Sequence, residues 1–206
     1  MKRLIILLIP VIIFSACVKD RIPPAPQVVT TSSNDTLMYY WSFNNQDSSN
    51  RAPDFGVNSG ATFRYYASYI DYYSSGSSIN LIGPIADTGS ALRVRNPSDS
   101  LVFVMPTTGY DSVVMQFAEE ASSTSSGSTI NDIYYTTDGV NYVSTALANN
   151  SYNVGIAYSL FAFDFSSDPN VNNNPKFAVK IVFANNNTGT SGNDRFDNVT
   201  LQGVRK

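Results

Sequence analysis

Apolar residues along this chain recur in short runs of period two, and polar turn residues interrupt the runs at close intervals. In Tyr158–Phe165, Phe161, Phe163 and Phe165 share one face while Leu160, Ala162 and Asp164 take the other. In Lys176–Phe183, the row Phe177, Val179, Ile181 and Phe183 is oily and Lys180 turns away. In Ser112–Ala118, Val113, Met115 and Phe117 oppose Val114 and Gln116. Successive side chains of an extended strand point to opposite faces, so this alternation predicts half-buried antiparallel strands. Similar runs rich in Tyr, Phe, Val, Ile and Thr predict strands at Leu37–Phe43, Thr62–Tyr66, Ala91–Arg95, Leu101–Met105, Ile130–Thr136, Asn141–Thr145 and Phe196–Leu201. No segment sustains an apolar period of 3.6. Asp138-Gly139, set between Ile133-Tyr134-Tyr135 and Tyr142-Val143, marks a hairpin, because glycine supplies the positive φ of a tight turn. Short strands separated by turns, without a helical insert, predict an all-β fold: a two-sheet antiparallel β-sandwich of jelly-roll type over residues 37–206.

The first residues follow a different pattern. Met1-Lys2-Arg3 is followed by the apolar stretch Leu4 to Phe14 and the small pair Ser15-Ala16, the layout of a secretory signal. The apolar stretch is shorter than the roughly 20 residues that a spanning helix needs. Cys17 stands directly after the small pair, so residues 1–16 resemble a bacterial lipoprotein signal peptide with Phe14-Ser15-Ala16-Cys17 as its lipobox. The resemblance implies cleavage before Cys17, acylation of that cysteine, and a lipid anchor in the outer membrane. Val18-Lys19-Asp20-Arg21 resembles the surface-export signal of Bacteroidetes lipoproteins, which implies display on the cell exterior. Residues 17–36 carry Pro23-Pro24-Ala25-Pro26 and then Thr, Ser and Asn, a composition that stays extended and buries little. They read as a tether for the domain at 37–206.

Composition narrows the chemistry. The chain holds no histidine and one cysteine. Without imidazole, the Ser-His-Asp and Cys-His arrangements and most zinc shells are unavailable. With one thiol, which lipidation would consume, no disulfide can form within the chain. There are 13 basic and 16 acidic groups, and cleavage would remove Lys2 and Arg3 and leave the chain more negative. No basic stripe is present to match a nucleic acid.

The carboxylates offer little for catalysis. Glu119-Glu120 is a neighbouring pair whose members must face opposite ways on a strand, unlike the facing carboxylates of a glycosidase. Asp138-Gly139, Asp168-Pro169 and Asp87-Thr88-Gly89 are turn contexts. An enzyme would have to rely on Asp164, Asp194, Asp197 or the glutamate pair, so a non-enzyme is expected.

Several blocks taken together carry a family resemblance: Trp41-Ser42-Phe43-Asn44, Ala91 to Asn96, Tyr134 to Gly139, Asn172-Asn173-Asn174-Pro175, and Gly192 to Val199. In this order they resemble the jelly-roll β-sandwich modules of secreted and surface proteins in the Bacteroidetes, over roughly Leu37 to Val204. The last block also resembles the final strand of carbohydrate-binding jelly rolls, where the matching aspartate helps hold a structural calcium. That resemblance makes Asp197 a calcium-ligand candidate, with Asn44 as its partner. The alternative is that Asp197 and Asn198 hydrogen-bond local backbone. Calcium takes six to eight oxygens and needs no histidine.

Aromatics supply the other candidate chemistry. Phe63 to Tyr73 is dense in tyrosine, and Tyr69 and Tyr72 are the candidates for stacking on a sugar. Consecutive tyrosines must split between faces, so part of this segment belongs to the core. Trp41 is expected in the core. Asp35-Thr36-Leu37, Asp99-Ser100-Leu101 and Asp111-Ser112-Val113 resemble short O-glycan acceptor motifs of the same bacterial group. The expected protein is a surface lipoprotein, anchored to the membrane through Cys17, whose non-catalytic domain binds an extracellular polysaccharide. The alternative is a structural or adhesive module that packs against other surface proteins.

Overall fold

A computed structural model describes residues 35–82 and 88–206, so the expected signal peptide, Cys17 and nearly all of the tether lie outside the described residues. Among the described residues the strands are β1 (Thr36–Trp41), β2 (Phe55–Gly56), β3 (Thr62–Tyr73), β4 (Ala91–Val104), β5 (Tyr110–Ala121), β6 (Ile130–Thr136), β7 (Ser151–Asn153), β8 (Ser159–Asp164), β9 (Ala178–Phe183) and β10 (Asn193–Arg205). A 3-10 turn, Pro169–Val171, is capped by Asp168, whose carboxylate accepts from Asn170 N–H.

Every pairing is antiparallel. One layer runs β2-β1-β10-β5-β8 and the other β3-β4-β9-β6-β7. With the edge strands β2 and β3 set aside, the order 1-10-5-8 against 4-9-6-7 is that of a jelly roll. The two layers are not separate at one corner. The later part of β10 pairs with β1, from Trp41↔Val199 to Thr36↔Gly203, while its first residues pair with β4, from Asn193↔Arg95 to Phe196↔Leu92. At that corner β3, β4, β10 and β5 therefore lie side by side and present one continuous outer surface.

Inward-facing aromatics from both layers meet between them. Trp41 packs edge-on to Phe103 at 5.2 Å, and Phe183 meets Phe196 at 6.1 Å. Phe117 contacts Tyr152, Phe161, Phe163 and Phe196 with ring centroids 5.8–6.2 Å apart. Burying each such ring contributes about 1.5–3 kcal/mol relative to exposure. Trp41 is in the core as expected, with its indole N–H donating to Arg51 O at 3.2 Å.

The predicted segments Ala91–Arg95 and Leu101–Met105 are one strand, β4. Pro97 interrupts the apolar pattern, yet it falls where no pairing needs its missing N–H. On one side β3 bulges between Ala67↔Ser98 and Tyr69↔Arg95; on the other β4 passes from β10 to β9. The Asn96–Pro97 peptide is cis. The predicted strand Asn141–Thr145 reduces to one bridge, Tyr135↔Val143, with both hydrogen bonds at 2.8 Å. Asp138 explains the difference: its Oδ1 accepts from Val140 and Asn141 N–H, so side-chain bonds close a wider turn than a two-residue hairpin, with Gly139 at φ +82°. Strands β2 and β7 are too short to show alternation in sequence.

Candidate functional site

The tyrosine-rich segment is the edge strand β3. Before its bulge Phe63 and Tyr65 turn inward and Arg64 and Tyr66 outward; after it Ile70 and Tyr72 turn inward and Tyr69, Asp71 and Tyr73 outward. The bulge puts Tyr66 and Tyr69 on the same face although they are an odd number of residues apart. Their rings are 55% and 51% exposed, whereas Phe63 is buried.

Charged residues support this face from beneath and beside. The register Asp71↔Arg93, Arg93↔Arg195 and Arg195↔Glu120 sets one row of charges across β3, β4, β10 and β5. Arg93 grips Asp71 through two bonds of 2.7 Å, and Arg95 reaches the same carboxylate at 2.9 Å. Burial opposes the charge on Asp71, but the two guanidiniums outweigh it and hold its pKa below the ordinary carboxylate value. Arg195 pairs with Glu120 and lays its guanidinium 3.7 Å from the Tyr73 ring centroid. Arg95 lies 5.7 Å from the centroid of Tyr69. Bidentate pairs and cation–π contacts of this kind fix side chains that would otherwise sample many rotamers.

Where β3 bulges past Pro97, the face opens into a recess of about 440 Å³ lined by Tyr66, Ser68, Pro97, Asp99, Asn187 and Thr188 among others. Ser68 Oγ bridges Arg95 O and Asn96 O, and Asn187 donates to Ser98 O at 2.8 Å, so the walls are hydrogen-bonded to the strand. Half-exposed rings beside carboxylate, amide and hydroxyl groups can stack on a flat ligand face and bond its hydroxyls. No carboxylate pair faces across the recess.

Of the two tyrosines expected to contact sugar, Tyr69 stands on this face and Tyr72 does not. Tyr72 turns inward, packs against the core and donates to Asp47 O at 3.0 Å. Burial, with the charges of Asp47 and Asp54, raises its pKa. Tyr66 and Tyr73 flank Tyr69 instead.

The calcium candidates lie elsewhere, under residues 74–82, which cover the outer face of β10. Asn198, at φ +49°, opens a bulge there and donates to Ser77 O at 2.8 Å and Ile79 O at 3.0 Å. Asp197 is fully buried; its Oδ2 accepts from Ser77 N–H and its Oδ1 from Asn198 N–H. Burial pushes its pKa up to about 7, against those two hydrogen bonds. Asn44 Oδ1 accepts from Ser90 N–H at 2.8 Å. The two residues flank one chain crossing, where Gly76 N–H donates to Gly89 O at 3.0 Å. A Cβ on Gly76 would fall 2.6 Å from Asp197 Oδ2 and 1.8 Å from Thr88 O, so carboxylate and carbonyl oxygens converge on that spot. These hard oxygen donors fit the chemistry of calcium, while the observed bonds are those of the local backbone role. Among the described residues no three His, Cys, Asp or Glu side chains gather as a metal site.

The acidic residues considered for catalysis are inaccessible or engaged. Glu119 and Asp194 are fully buried on the inner face. Glu119 accepts from Asn131 Nδ2 at 2.6 Å and from Tyr152 OH at 2.7 Å, and among the described residues the Asp194 carboxylate has no well-formed hydrogen bond, the Ser128 backbone N–H being its nearby donor. Burial, and then the charge of Asp194, raises the Glu119 pKa well above normal; burial takes Asp194 to about 8. Glu120 is paired with Arg195, and the exposed Asp164 accepts from Ser166 N–H at 2.8 Å.

No family model matches the chain, and no curated protein matches it. Similar solved structures include a xylan-binding domain from Paenibacillus barcinonensis, 11% identical, covering 85% of this chain and 99% of that one with a TM-score of 0.48. A family 29 carbohydrate-binding module complexed with mannohexaose is 10% identical, covering 82% and 92% with a TM-score of 0.47. The enzymatically active domain of a tailspike protein of bacteriophage CBA120 is 12% identical with a TM-score of 0.44; the match covers 78% of this chain but spans only 20% of the tailspike. At these identities and scores the likenesses assign this chain neither a family nor a ligand.

Proposed function

We propose that this chain is a surface-displayed lipoprotein whose jelly-roll domain binds an extracellular glycan without catalysis, through the outer face of β3 and β4 around Tyr66 and Tyr69. The observation that carries the reading is that both rings stand half exposed on a hydrogen-bonded sheet beside a polar recess. Arg95 and Asp71 steady that sheet, so little ordering is needed when a ligand arrives. The non-catalytic part is supported by the burial of Glu119, Asp194 and Asp197, which no substrate can reach. Surface display is supported by the sequence up to Cys17 and by the Val18 to Arg21 segment. Structural calcium held by Asp197, with Asn44 and Thr88 O, belongs to the same proposal; the ion would stiffen the crossing of residues 76–77 and 88–90.

Electrophoresis through gels containing single polysaccharides tests the reading. At least one polysaccharide is expected to retard the wild-type domain; free migration through all of them contradicts it. A second reading, an adhesive module, is favoured by Ile156 and Leu160, which are 63% and 44% exposed at the β8 edge of the first layer. Such an edge is a ready template for another chain.

A further inference from the structure

We infer that the polymer taken by this face is an anionic polysaccharide whose carboxylate or sulfate groups are met by Arg64 and Lys180. The inference rests on the glycan-binding reading and adds to it the charge of the ligand. It starts from the register. Arg64 on β3 pairs with Val102 on β4, Val102 with Lys180 on β9, and Lys180 with Tyr134 on β6. These residues therefore form one row across the outer face, immediately beside the row that begins with Tyr66. Two interstrand steps separate Arg64 from Lys180, about 10 Å at the usual spacing. That is the scale of one disaccharide along a polymer.

An aromatic ring lies against one of the two cations. The Asp138 turn is closed by hydrogen bonds from Val140 and Asn141, and it delivers Tyr142 over the sheet. Lys180 Nζ lies 5.8 Å from the Tyr142 ring centroid. The Tyr142 hydroxyl is raised in pKa first by burial and then by Tyr66, with Arg64 lowering it, so all four groups share one neighbourhood. A ring in this neighbourhood can stack on a sugar while the sugar's acidic substituents reach the two positive charges of the row.

The charges on this face are available. Arg93, Arg95 and Arg195 are all committed to Asp71 or Glu120. Arg64 and Lys180 take part in no ion pair among the described residues. Arg64 is exposed and Lys180 partly so. Asp132 on β6 and Asp99, whose carboxylate accepts from Ser100 Oγ, lie at the neighbouring Tyr66 row, while the row of Arg64 and Lys180 itself holds no carboxylate. Charge complementarity of this kind steers an anionic polymer to the face and makes binding weaken with salt.

The test is calorimetric titration of the wild-type domain and of Arg64→Gln, Lys180→Gln, the double variant and Lys180→Arg. The ligands are polygalacturonate, chondroitin sulfate, and the neutral polymers xylan and mannan. The expected result is preferred binding of polygalacturonate or chondroitin sulfate, which also identifies the anionic group. Each Gln variant should weaken that binding about fivefold, the upper range for an exposed ion pair, and Lys180→Arg should retain it. Raising the salt should weaken wild type more than the double variant. Binding confined to xylan or mannan, and equal in wild type and double variant, overturns the anionic inference and leaves the glycan reading standing. Binding to none of the four by wild type, with an unchanged circular dichroism spectrum, overturns both.

Discussion

The guanidinium of Arg195 lies 3.7 Å from the centroid of the Tyr73 ring, joining β10 to β3 over the intervening strand β4. Its other contact is the ion pair with Glu120 on β5, so one side chain connects the outer strands of the corner surface. Both members of that ion pair are largely buried, at 16% and 10% side-chain exposure. A charge held this way is costly to leave alone.

Arg195→Ala should therefore destabilise the domain by about 2–3 kcal/mol, by losing the cation–π contact and stranding Glu120. For a domain of this size that corresponds to a melting temperature lower by roughly 5–10 °C. Arg195→Lys keeps the charge but not the planar fork, and should fall between the two. Thermal denaturation followed by circular dichroism checks the order.

Stability should fall as pH rises from about 5 to 8. Asp194 and Asp197, at about 8 and 7, and Glu119, raised well above normal, hold protons more tightly folded than unfolded. A raised carboxyl contributes stability that is fully present below the unfolded value, near 4, and is lost as pH rises through the folded one. Asp71, held below its ordinary value, acts the other way: its contribution is present above about 4 and is lost as pH falls further. The maximum should thus lie near pH 5. Asp194→Asn should flatten the decline toward pH 8, and a melting temperature rising from pH 5 to 8 in wild type would contradict the burial account.

Calcium at the Asp197 corner predicts a higher melting temperature in the presence of the ion, and Asp197→Ala should abolish that rise. No shift in wild type would leave Asp197 with only its bonds to Ser77 and Asn198 N–H. Asp194→Asn should keep the calcium response, because Asp194 lies on the inner face.

Lipid anchoring predicts that the full chain, expressed with its own leader, fractionates with membranes. Cys17→Ser should release it or leave the leader uncleaved, which immunoblotting after fractionation would show. A wild-type chain found wholly in the soluble fraction contradicts the anchor.

Much of the scaffold is visible in the alternation of residues, and the site is visible only in part. Ile130–Thr136, rich in Ile, Tyr and Thr, forms β6 with those bounds. The split between Glu119 and Glu120 also follows from parity: Glu119 points inward and Glu120 reaches Arg195. Tyr69 and Tyr73 share parity and share a face. Tyr66 joins them only because β3 bulges at Ala67, and a bulge depends on the partner strand rather than on the local pattern. Pro97 hid the continuity of β4 for a similar reason, since which neighbour each half pairs with is a property of the whole fold. The burial of Asp197 could not be read locally, because it depends on residues 74–82 crossing β10 more than a hundred positions away in sequence.

The most direct measurement is titration of the domain with whichever polysaccharide retards it, comparing wild type, Tyr69→Ala, the Tyr66→Ala/Tyr69→Ala double variant and Tyr72→Phe. The account predicts at least a tenfold loss for the double variant, a smaller loss for Tyr69→Ala, and affinity unchanged in Tyr72→Phe, whose hydroxyl points to Asp47. A folded double variant that binds as tightly as wild type would place the ligand elsewhere and contradict the central claim.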